Sequence, residues 1–378
     1  MKKLLIIISM FLFLCGCGKS SEENIVKKFQ QKIEKNDSYI LKSNMSIISN
    51  EDTFNYNVEA SKSKDDYYKV SLINKTNDHE QVILKNSDGV YVVTPDLNKS
   101  FKFQSDWPNN GSQSYLLDVL LNDVLNDDNV HVEKGDNKYI QCRVNYPNNN
   151  TLYSEKIYLD DDYSVKKVEV LDQDGNVKIT LDVTSINYKP KFDDDYFALE
   201  SLVTDDTEED QEENTKQTQN KESETENSIE NNSELTENDT IESEKSNEQN
   251  SANNNEESTS SILEDIIYPL YVPQNTHLST QDTISTDTGN RAILTFAGDS
   301  PFVLVEEVSQ RFDEMEIIPV NGDPLMMSDS IGALSSNSLY WTSNGIDYYL
   351  SSNSIDSREL MTIAEGLTGT SVIVSSEK

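Results

Sequence analysis

The stretch "FQSDWPNNGSQSYLLDVLLNDV", residues 103–124, places a tryptophan, a proline and a turn immediately before a strongly apolar segment. Proline has no amide proton to donate to a strand ladder and restricts the residue before it, so Trp107-Pro108 should end a strand over residues 99–104. The three residues 109–111, two asparagines and a glycine, then predict a turn. The stretch therefore indicates a hinge between a strand and a helix.

The apolar segment after this hinge predicts a helix over residues 112–126, with Ser112 or Ser114 as a cap for its first free amides. Its apolar residues are Tyr115, Leu116, Leu117, Val119, Leu120, Leu121, Val124 and Leu125. They cover well over half of the helix circumference, which is typical of a buried helix. We expect this helix to pack into the open end of a curved sheet, with Trp107 as a wedge beside it.

The sheet is predicted by apolar residues at every second position. In "TFNYNVEA", residues 53–60, Phe54, Tyr56 and Val58 alternate with polar residues, and "VKITLDV", residues 177–183, shows the same period. Shorter runs bring the total to roughly ten strands with one apolar face each, which indicates an antiparallel sheet with a face to cover. The predicted fold is α+β: an N-terminal curved antiparallel half-barrel with helices on its concave side.

The apolar face of this half-barrel leaves two interpretations open. The face can be covered completely by a filled core, or it can leave a hydrophobic cleft that holds acyl chains. The residues of a hydrophobic cleft or its lid would be Phe54, Tyr56, Val58, Trp107, Tyr115, Leu116 and Leu120.

The domain organisation is predicted from composition. Residues 21–202 hold the half-barrel, and residues 203–261 form an acidic linker in which positions 204–260 carry 19 acidic residues against three lysines. Such a stretch cannot bury enough apolar surface to fold, so we expect disorder. Residues 262–378 predict a small α+β domain with a terminal helix in "DSRELMTIAEGL", where Asp356 and Glu359 are spaced as a capping box.

The first residues predict export and lipid attachment. Residues 1–16 combine two lysines with an apolar run too short to span a bilayer, as in a signal peptide. Leu14-Cys15-Gly16-Cys17 fits a lipobox, so Cys17 should carry a diacylglyceryl and a palmitate-type acyl group, with residues 17–20 as a tether. The expected location is the extracytoplasmic face of the cell membrane. Only Cys142 then remains, and it should be a small buried residue.

No pattern in the chain predicts catalysis, a cofactor or a metal site. The formal charge of −37 disfavours nucleic acid as a partner. The three histidines stand apart from any serine, cysteine or carboxylate pattern that would mark a triad or a metal. "DQDGN", residues 172–176, lacks the glycine and the closing glutamate of a calcium loop and predicts a hairpin turn. We expect a protein that is not an enzyme.

The first domain resembles the outer-membrane lipoprotein carrier (LolA-like) superfamily, and more closely the sporulation and germination lipoproteins of Gram-positive spore formers that carry this fold. The resemblance rests on residues 98–124, on "EKIYLDDDYSVKKVEVLDQDGNVK" and on "FDDDYFAL". It implies a membrane-anchored lipoprotein that binds an envelope protein partner, with a peptidoglycan amidase as the implied partner. The alternative is a carrier or sensor with a lipid ligand.

The second domain resembles a domain of unknown function often found C-terminal in these lipoproteins, through "YPLYVP", "LYWTSNGIDYYL" and "SRELMTIAEGL". The first domain departs from true carriers at one point. Carriers lock a lid helix with an arginine, whereas Arg143, the only arginine before Arg291, does not align with that lock. This departure favours a rigid partner-binding scaffold over a carrier.

Overall fold

The structure is a computed structural model that describes residues 19–49, 52–147, 149–203, 263, 265–286 and 289–368. In these residues the chain is mostly β, with three α-helices and two open sheets, which confirms the α+β class. The expected signal peptide, the lipidation site at Cys17 and nearly all of the acidic linker lie outside the described residues.

The larger sheet has twelve strands among the described residues, numbered here in chain order. They are β1 (Tyr39–Ser49), β2 (Asp52–Lys62), β3 (Tyr68–Asn74), β4 (Glu80–Asn86), β5 (Gly89–Thr94), β6 (Lys99–Phe103), β7 (His131–Glu133), β8 (Tyr139–Arg143), β9 (Leu152–Leu159), β10 (Val165–Asp172), β11 (Val177–Asn187) and β15 (Glu316–Val320). The spatial order is β15-β6-β5-β4-β3-β2-β1-β11-β10-β9-β8-β7. All neighbours pair antiparallel except β15 and β6, which are parallel.

Strict alternation in the sequence becomes strict alternation of burial in this sheet. In β3 every second residue is buried, and in β2 the buried residues include Tyr56 and Val58. The turn at residues 172–176 joins β10 to β11, with Gly175 at φ +82°, so the predicted hairpin is confirmed. Its Asp172 accepts hydrogen bonds from two amides of the turn and serves local geometry.

Two helices cover one face of the large sheet: α1 (Lys19–Glu34) and α2 (Leu117–Asn126). Phe29 and Ile33 of α1 join the apolar residues of α2 and the sheet in a single core. The opposite face is covered only in part, where Phe197 and a 3₁₀ helix (Leu199–Leu202) pack on β4 and β5.

Helix α2 begins at Leu117, five residues later than expected, and the expected capping by Ser112 or Ser114 is wrong. Ser112 is used elsewhere: its amide donates to the carbonyl oxygen of Asn145 and its hydroxyl accepts from the Asn145 amide, both at 2.7 Å. The free amide of Leu117 donates instead to the hydroxyl oxygen of Tyr39 at 3.1 Å. A side chain from β1 therefore replaces the local cap.

The second segment forms a seven-stranded antiparallel sheet with a helix on it. Its elements are β12 (Thr276–Thr286), β13 (Gly289–Gly298), β14 (Phe302–Val308), β16 (Asp323–Met326), β17 (Ile331–Leu334), β18 (Ser338–Ser343), β19 (Ile346–Ser351) and α3 (Ser357–Thr368). The Asp356 carboxylate accepts from the amides of Arg358 and Glu359, which confirms Asp356 as the cap of α3. Leu360 and Ile363 of this helix are fully buried against the sheet.

The segments on either side of residues 205–259 form one compact unit. Strand β15 of the second segment extends the large sheet of the first at β6. Close by, the buried ammonium group of Lys99 lies 2.6 Å from the Asp347 carboxylate and 2.7 Å from the Tyr340 hydroxyl. The second segment thus has its own core and also completes the first.

Candidate functional site

Most of the residues expected to line a cleft or form its lid lie in the filled core. Leu116 and Leu120 have no exposed surface, and Tyr56 and Val58 are buried with them, whereas Phe54 is only partly buried. These side chains pack with the sheet in one core.

Trp107 is also buried, at 1% exposure, and its ring packs edge-on against Tyr68 with centroids 5.8 Å apart. Tyr68 also donates to Asp118 of α2, so Trp107 packs on a residue that contacts the helix. Its contacts make it part of the packed core next to the start of α2.

The second segment forms hydrogen bonds with strands of the large sheet. The Tyr56 hydroxyl donates to the carbonyl oxygen of Ser328 at 2.7 Å, and the Ile331 amide donates to the Gln81 side chain at 2.6 Å. Asp323 of the second segment accepts hydrogen bonds from Ser105 and Asn110, which belong to the hinge before α2. These contacts tie residues 323–331 to strands that are far away in sequence.

A cavity of about 700 Å³ remains beside this contact. It is lined by two of the expected cleft residues, Trp107 and Tyr115, and by Met326, Met327 and Met361 of the second segment. Its polar and charged lining includes Asn110, Gln113, Asp172, Lys178, Asp323, Arg358 and Glu365. Adaptable methionine side chains together with charged groups suit an amphiphilic molecule.

A fully buried carboxyl group, that of Glu155, lies close to the half-buried carboxyl group of Asp123 on α2. Glu155 on β9 has no exposed surface, and one of its oxygens has no hydrogen-bond partner among the described residues. Burial, then the charge of Asp123 on α2, raises the pKa of Glu155 well above its usual range. Burial also raises the pKa of Asp123 to about 6. Cys142 lies beside them as a buried free thiol, which confirms it as a small buried residue.

The second segment presents an exposed apolar patch that sequence reasoning did not identify. We define the 268–271 patch as Tyr268, Leu270 and Tyr271, which are 45%, 77% and 40% exposed. Apolar residues around Pro269 without helical or strand period were the available signal, because no regular element could bury them. An exposed cluster of large apolar side chains marks an interaction surface.

The backbone and side chains of this patch are held in place. The Leu270 amide donates to the carbonyl oxygen of Gly366 on α3 at 3.2 Å, and the Tyr271 hydroxyl donates to the Glu359 carboxylate at 3.1 Å. The Tyr268 hydroxyl donates to Gln281 on β12 at 2.5 Å. The patch is therefore preformed.

Two searches of the described part of the chain bear on metals and membranes. No group of three or more histidine, cysteine, aspartate or glutamate side chains there could hold a metal ion. Within the same residues, every helix is too short or too polar to cross a bilayer. The Nδ1 atom of His79 lies 3.5 Å from the Asp96 carboxylate.

Comparisons with known proteins give one sequence relative and several structures. No protein-family model matches the chain. The chain is 33% identical over 365 residues to the sporulation protein YdcC of Bacillus subtilis (strain 168), covering 95% of this chain and 94% of that protein.

Two solved structures match the chain at low similarity. One is a chain of the MucA/MucB complex of Pseudomonas aeruginosa, with a TM-score of 0.29 and 10% identity, covering 91% of this chain and 98% of that one. The other is a LolA superfamily protein from Nitrosomonas europaea, with a TM-score of 0.29 and 11% identity, covering 48% of this chain and 98% of that one.

Proposed function

This chain belongs to the family of the sporulation protein YdcC, and from that premise we propose that it acts in sporulation as a non-catalytic protein that binds a protein partner. The observation that carries this proposal is the preformed 268–271 patch on a body whose core is filled. An envelope protein is the expected partner, and the resemblance of the sequence to sporulation lipoproteins suggests a peptidoglycan amidase.

The patch has the composition of a binding hot spot. Tyrosine is enriched where interfaces gain most of their free energy, and Leu270 supplies an apolar side chain that a partner can cover. Because hydrogen bonds to α3 and β12 already fix this segment, binding loses less conformational entropy than it would for a mobile loop. A partner with an apolar pocket fits this surface.

A photo-crosslinking experiment in sporulating cells tests the proposal. A photoreactive residue at position 270 should yield a specific crosslinked product, whereas the same residue at position 349 should not. Tyr349 is a matched control because it is 41% exposed on β19 of the same segment. Leu270→Asp should abolish crosslinking from a neighbouring patch position and lower the yield of heat-resistant spores. Equal products at both positions would contradict the proposal.

We propose further that Cys17 carries a lipid that attaches the protein to the extracytoplasmic face of the membrane. The lipobox before it and the short apolar run of residues 4–14 support this. Cys17→Ala should leave the uncleaved precursor and remove incorporation of labelled palmitate. Cys15→Ala is the control and should retain the label, because the lipid is expected on Cys17 alone. Labelled Cys17→Ala protein would show that the anchor is elsewhere.

A second candidate function follows from the cavity of about 700 Å³, namely carriage or sensing of a lipid. Its volume falls in the range of small-molecule sites, roughly 300–1,000 Å³. Leu120→Asp would disrupt the core and cannot test this, since Leu120 is fully buried. Thr362→Trp can, because Thr362 is an exposed residue of α3 that lines the cavity.

Native mass spectrometry of the full chain should then separate the two functions. A co-purified lipid that is lost in Thr362→Trp would favour the carrier. A chain without bound lipid that still crosslinks through position 270 would leave partner binding as the function.

A further inference from the structure

A second cleft, of about 490 Å³, shares Gly111 of the hinge loop with the cavity described above. Its walls are the exposed side of α2, the turn that follows α2, and the chain around the end of β8. Nine of its eleven lining residues are asparagine, aspartate or arginine: Asn109, Asn122, Asp123, Asn126, Asp127, Asp128, Asn129, Arg143 and Asn145. The other two are Gly111 and Val144.

Five asparagine side chains in this cleft are unused by the fold. The carboxamides of Asn109, Asn122, Asn126, Asn129 and Asn145 make no hydrogen bond to another described residue. Each offers two N–H donors and a carbonyl acceptor. The cleft therefore presents many paired donors and acceptors at fixed positions.

The two asparagines of α2 lie on its exposed side, and only Asn122 is in the helix interior. Asn122 and Asn126 lie one turn apart in a helix of ten residues, and both are exposed. Asparagine favours the helix less than alanine, lysine or glutamate does, because its side chain competes for backbone hydrogen bonds. No packing contact requires an amide there. The fold therefore leaves both side chains available to a ligand.

The floor and one wall of the cleft are rigid. Asn145 and Ser112 exchange two hydrogen bonds of 2.7 Å, and a Cβ atom on Gly111 would lie 3.1 Å from the Asn145 carbonyl oxygen, so glycine permits this close approach. Asp127 accepts from the amides of Asn129 at 2.9 Å and Arg143 at 2.8 Å. A rigid polar cleft binds with little loss of entropy.

The remaining chemistry comes from Arg143 and its neighbour Tyr153. The Arg143 guanidinium lies 5.6 Å from the centre of the Tyr153 ring and forms no ion pair with a described residue. The Tyr153 side chain is 42% exposed. Arg143 lines the cleft and offers a cation for a carboxylate, and the ring of Tyr153, outside the lining, positions its guanidinium.

We propose that this cleft binds a carboxylate-bearing oligosaccharide. Its asparagines would exchange hydrogen bonds with hydroxyl and acetamido groups, and Arg143, positioned by Tyr153, would hold the carboxylate. This chemistry fits a glycan better than a bare cation, because uncharged amides outnumber the aspartates, and Asp127 is already occupied by two amides.

The test is a titration of the isotope-labelled full chain, followed by NMR, with three soluble probes. These are an N-acetylmuramic acid-containing disaccharide, an N-acetylglucosamine oligomer and a glucose oligomer. The disaccharide should bind most tightly and shift the amides of residues 122–129 and 143–145. The Asn122→Ala/Asn126→Ala variant should weaken binding about tenfold or more, as expected for two lost hydrogen bonds.

Matched variants separate binding from folding. Alanine favours helix more than asparagine does, so the double variant should keep or raise the unfolding temperature. Leu125→Ala, on the same helix but outside the cleft, should leave binding unchanged. Arg143→Gln should remove the preference for the carboxylated sugar while retaining weaker binding of the neutral oligomer.

Three results would overturn the proposal. One is no shift in the cleft with any sugar at millimolar concentration. Another is sugar binding that the double variant leaves intact. The third is saturation of the same amides by Ca²⁺ alone, which would identify the cleft as a cation site.

Discussion

Glu155 shows how one buried group can set the response of this protein to pH. Its carboxyl group and that of Asp123 bind protons more tightly in the folded chain than in the unfolded chain, because burial raises both pKa values. The folded state therefore holds more protons, and its free energy of unfolding falls as the pH rises. For Asp123 the fall should lie between its ordinary pKa and about 6, and for Glu155 it should extend to higher pH.

Glu155→Gln should stabilise the protein at pH 8 by about 1–3 kcal/mol and have little effect at pH 5, since glutamine is uncharged and removes the cost of keeping this buried carboxyl group where the unfolded chain would ionise it. Urea unfolding at the two pH values measures this. Glu169→Gln on β10 is the control. Burial acts to raise the pKa of Glu169, but hydrogen bonds from Lys167 and Tyr158 outweigh it and hold the pKa below its usual range. Stabilisation of Glu155→Gln at pH 5 alone would contradict the argument.

At the scale of elements, α2 depends on tyrosines from the sheet rather than on its own cap. The Tyr39 hydroxyl accepts from the Leu117 amide and donates to Asp118 at 2.9 Å, and Tyr68 donates to the same carboxylate at 2.6 Å. Tyr39→Phe should therefore cost about 1–2 kcal/mol, because it leaves a buried donor unpaired. Tyr67→Phe should cost less, since the Tyr67 hydroxyl bonds to no described residue. Equal losses in chemical unfolding would show that the cap is unimportant.

Sequence patterns succeeded where the deciding interactions are local. Alternation placed Tyr56 and Val58 on the buried face of β2, and Asp356 caps α3 as its spacing predicts. Patterns failed where the partner is distant. The start of α2 depends on Tyr39, and strand β15, "EIIPV", has no alternation and finds its partner β6 more than 200 residues earlier. The amide-rich cleft was missed because Asn109 was interpreted as a turn residue and no pattern singled out the other four asparagines.

At the scale of the whole molecule, the two folded segments should lose their structure together. The chain has two tryptophans, Trp107 in the first segment and Trp341 in the second, and both are buried. In protein labelled with fluorotryptophan, the two ¹⁹F resonances should report the same thermal midpoint. Separate midpoints would show that each segment unfolds alone.

Asp347→Asn should lower both midpoints together, because it leaves the Lys99 cation, 3% exposed, without its carboxylate. Breaking a buried ion pair on one side costs about 3–5 kcal/mol. Asp356→Asn alters a carboxylate that is 65% exposed on the same segment and should leave the Trp107 midpoint unchanged. A shift of Trp341 alone in Asp347→Asn would mean that the joint does not couple the segments.

The pairing of β15 with β6 also means that the edge of β6 stays unpaired for part of biosynthesis. The outer edge of β6 is complete once Phe103 has been made, but its partner begins only at Glu316. At about 5–20 residues per second, the intervening stretch of about 210 residues takes on the order of 10–40 s to synthesise. During that interval the nascent chain has an unpaired strand edge that another nascent chain could occupy. Pairing between newly made copies at this edge, rather than the stability of the finished protein, should therefore limit how much of the protein a cell can produce.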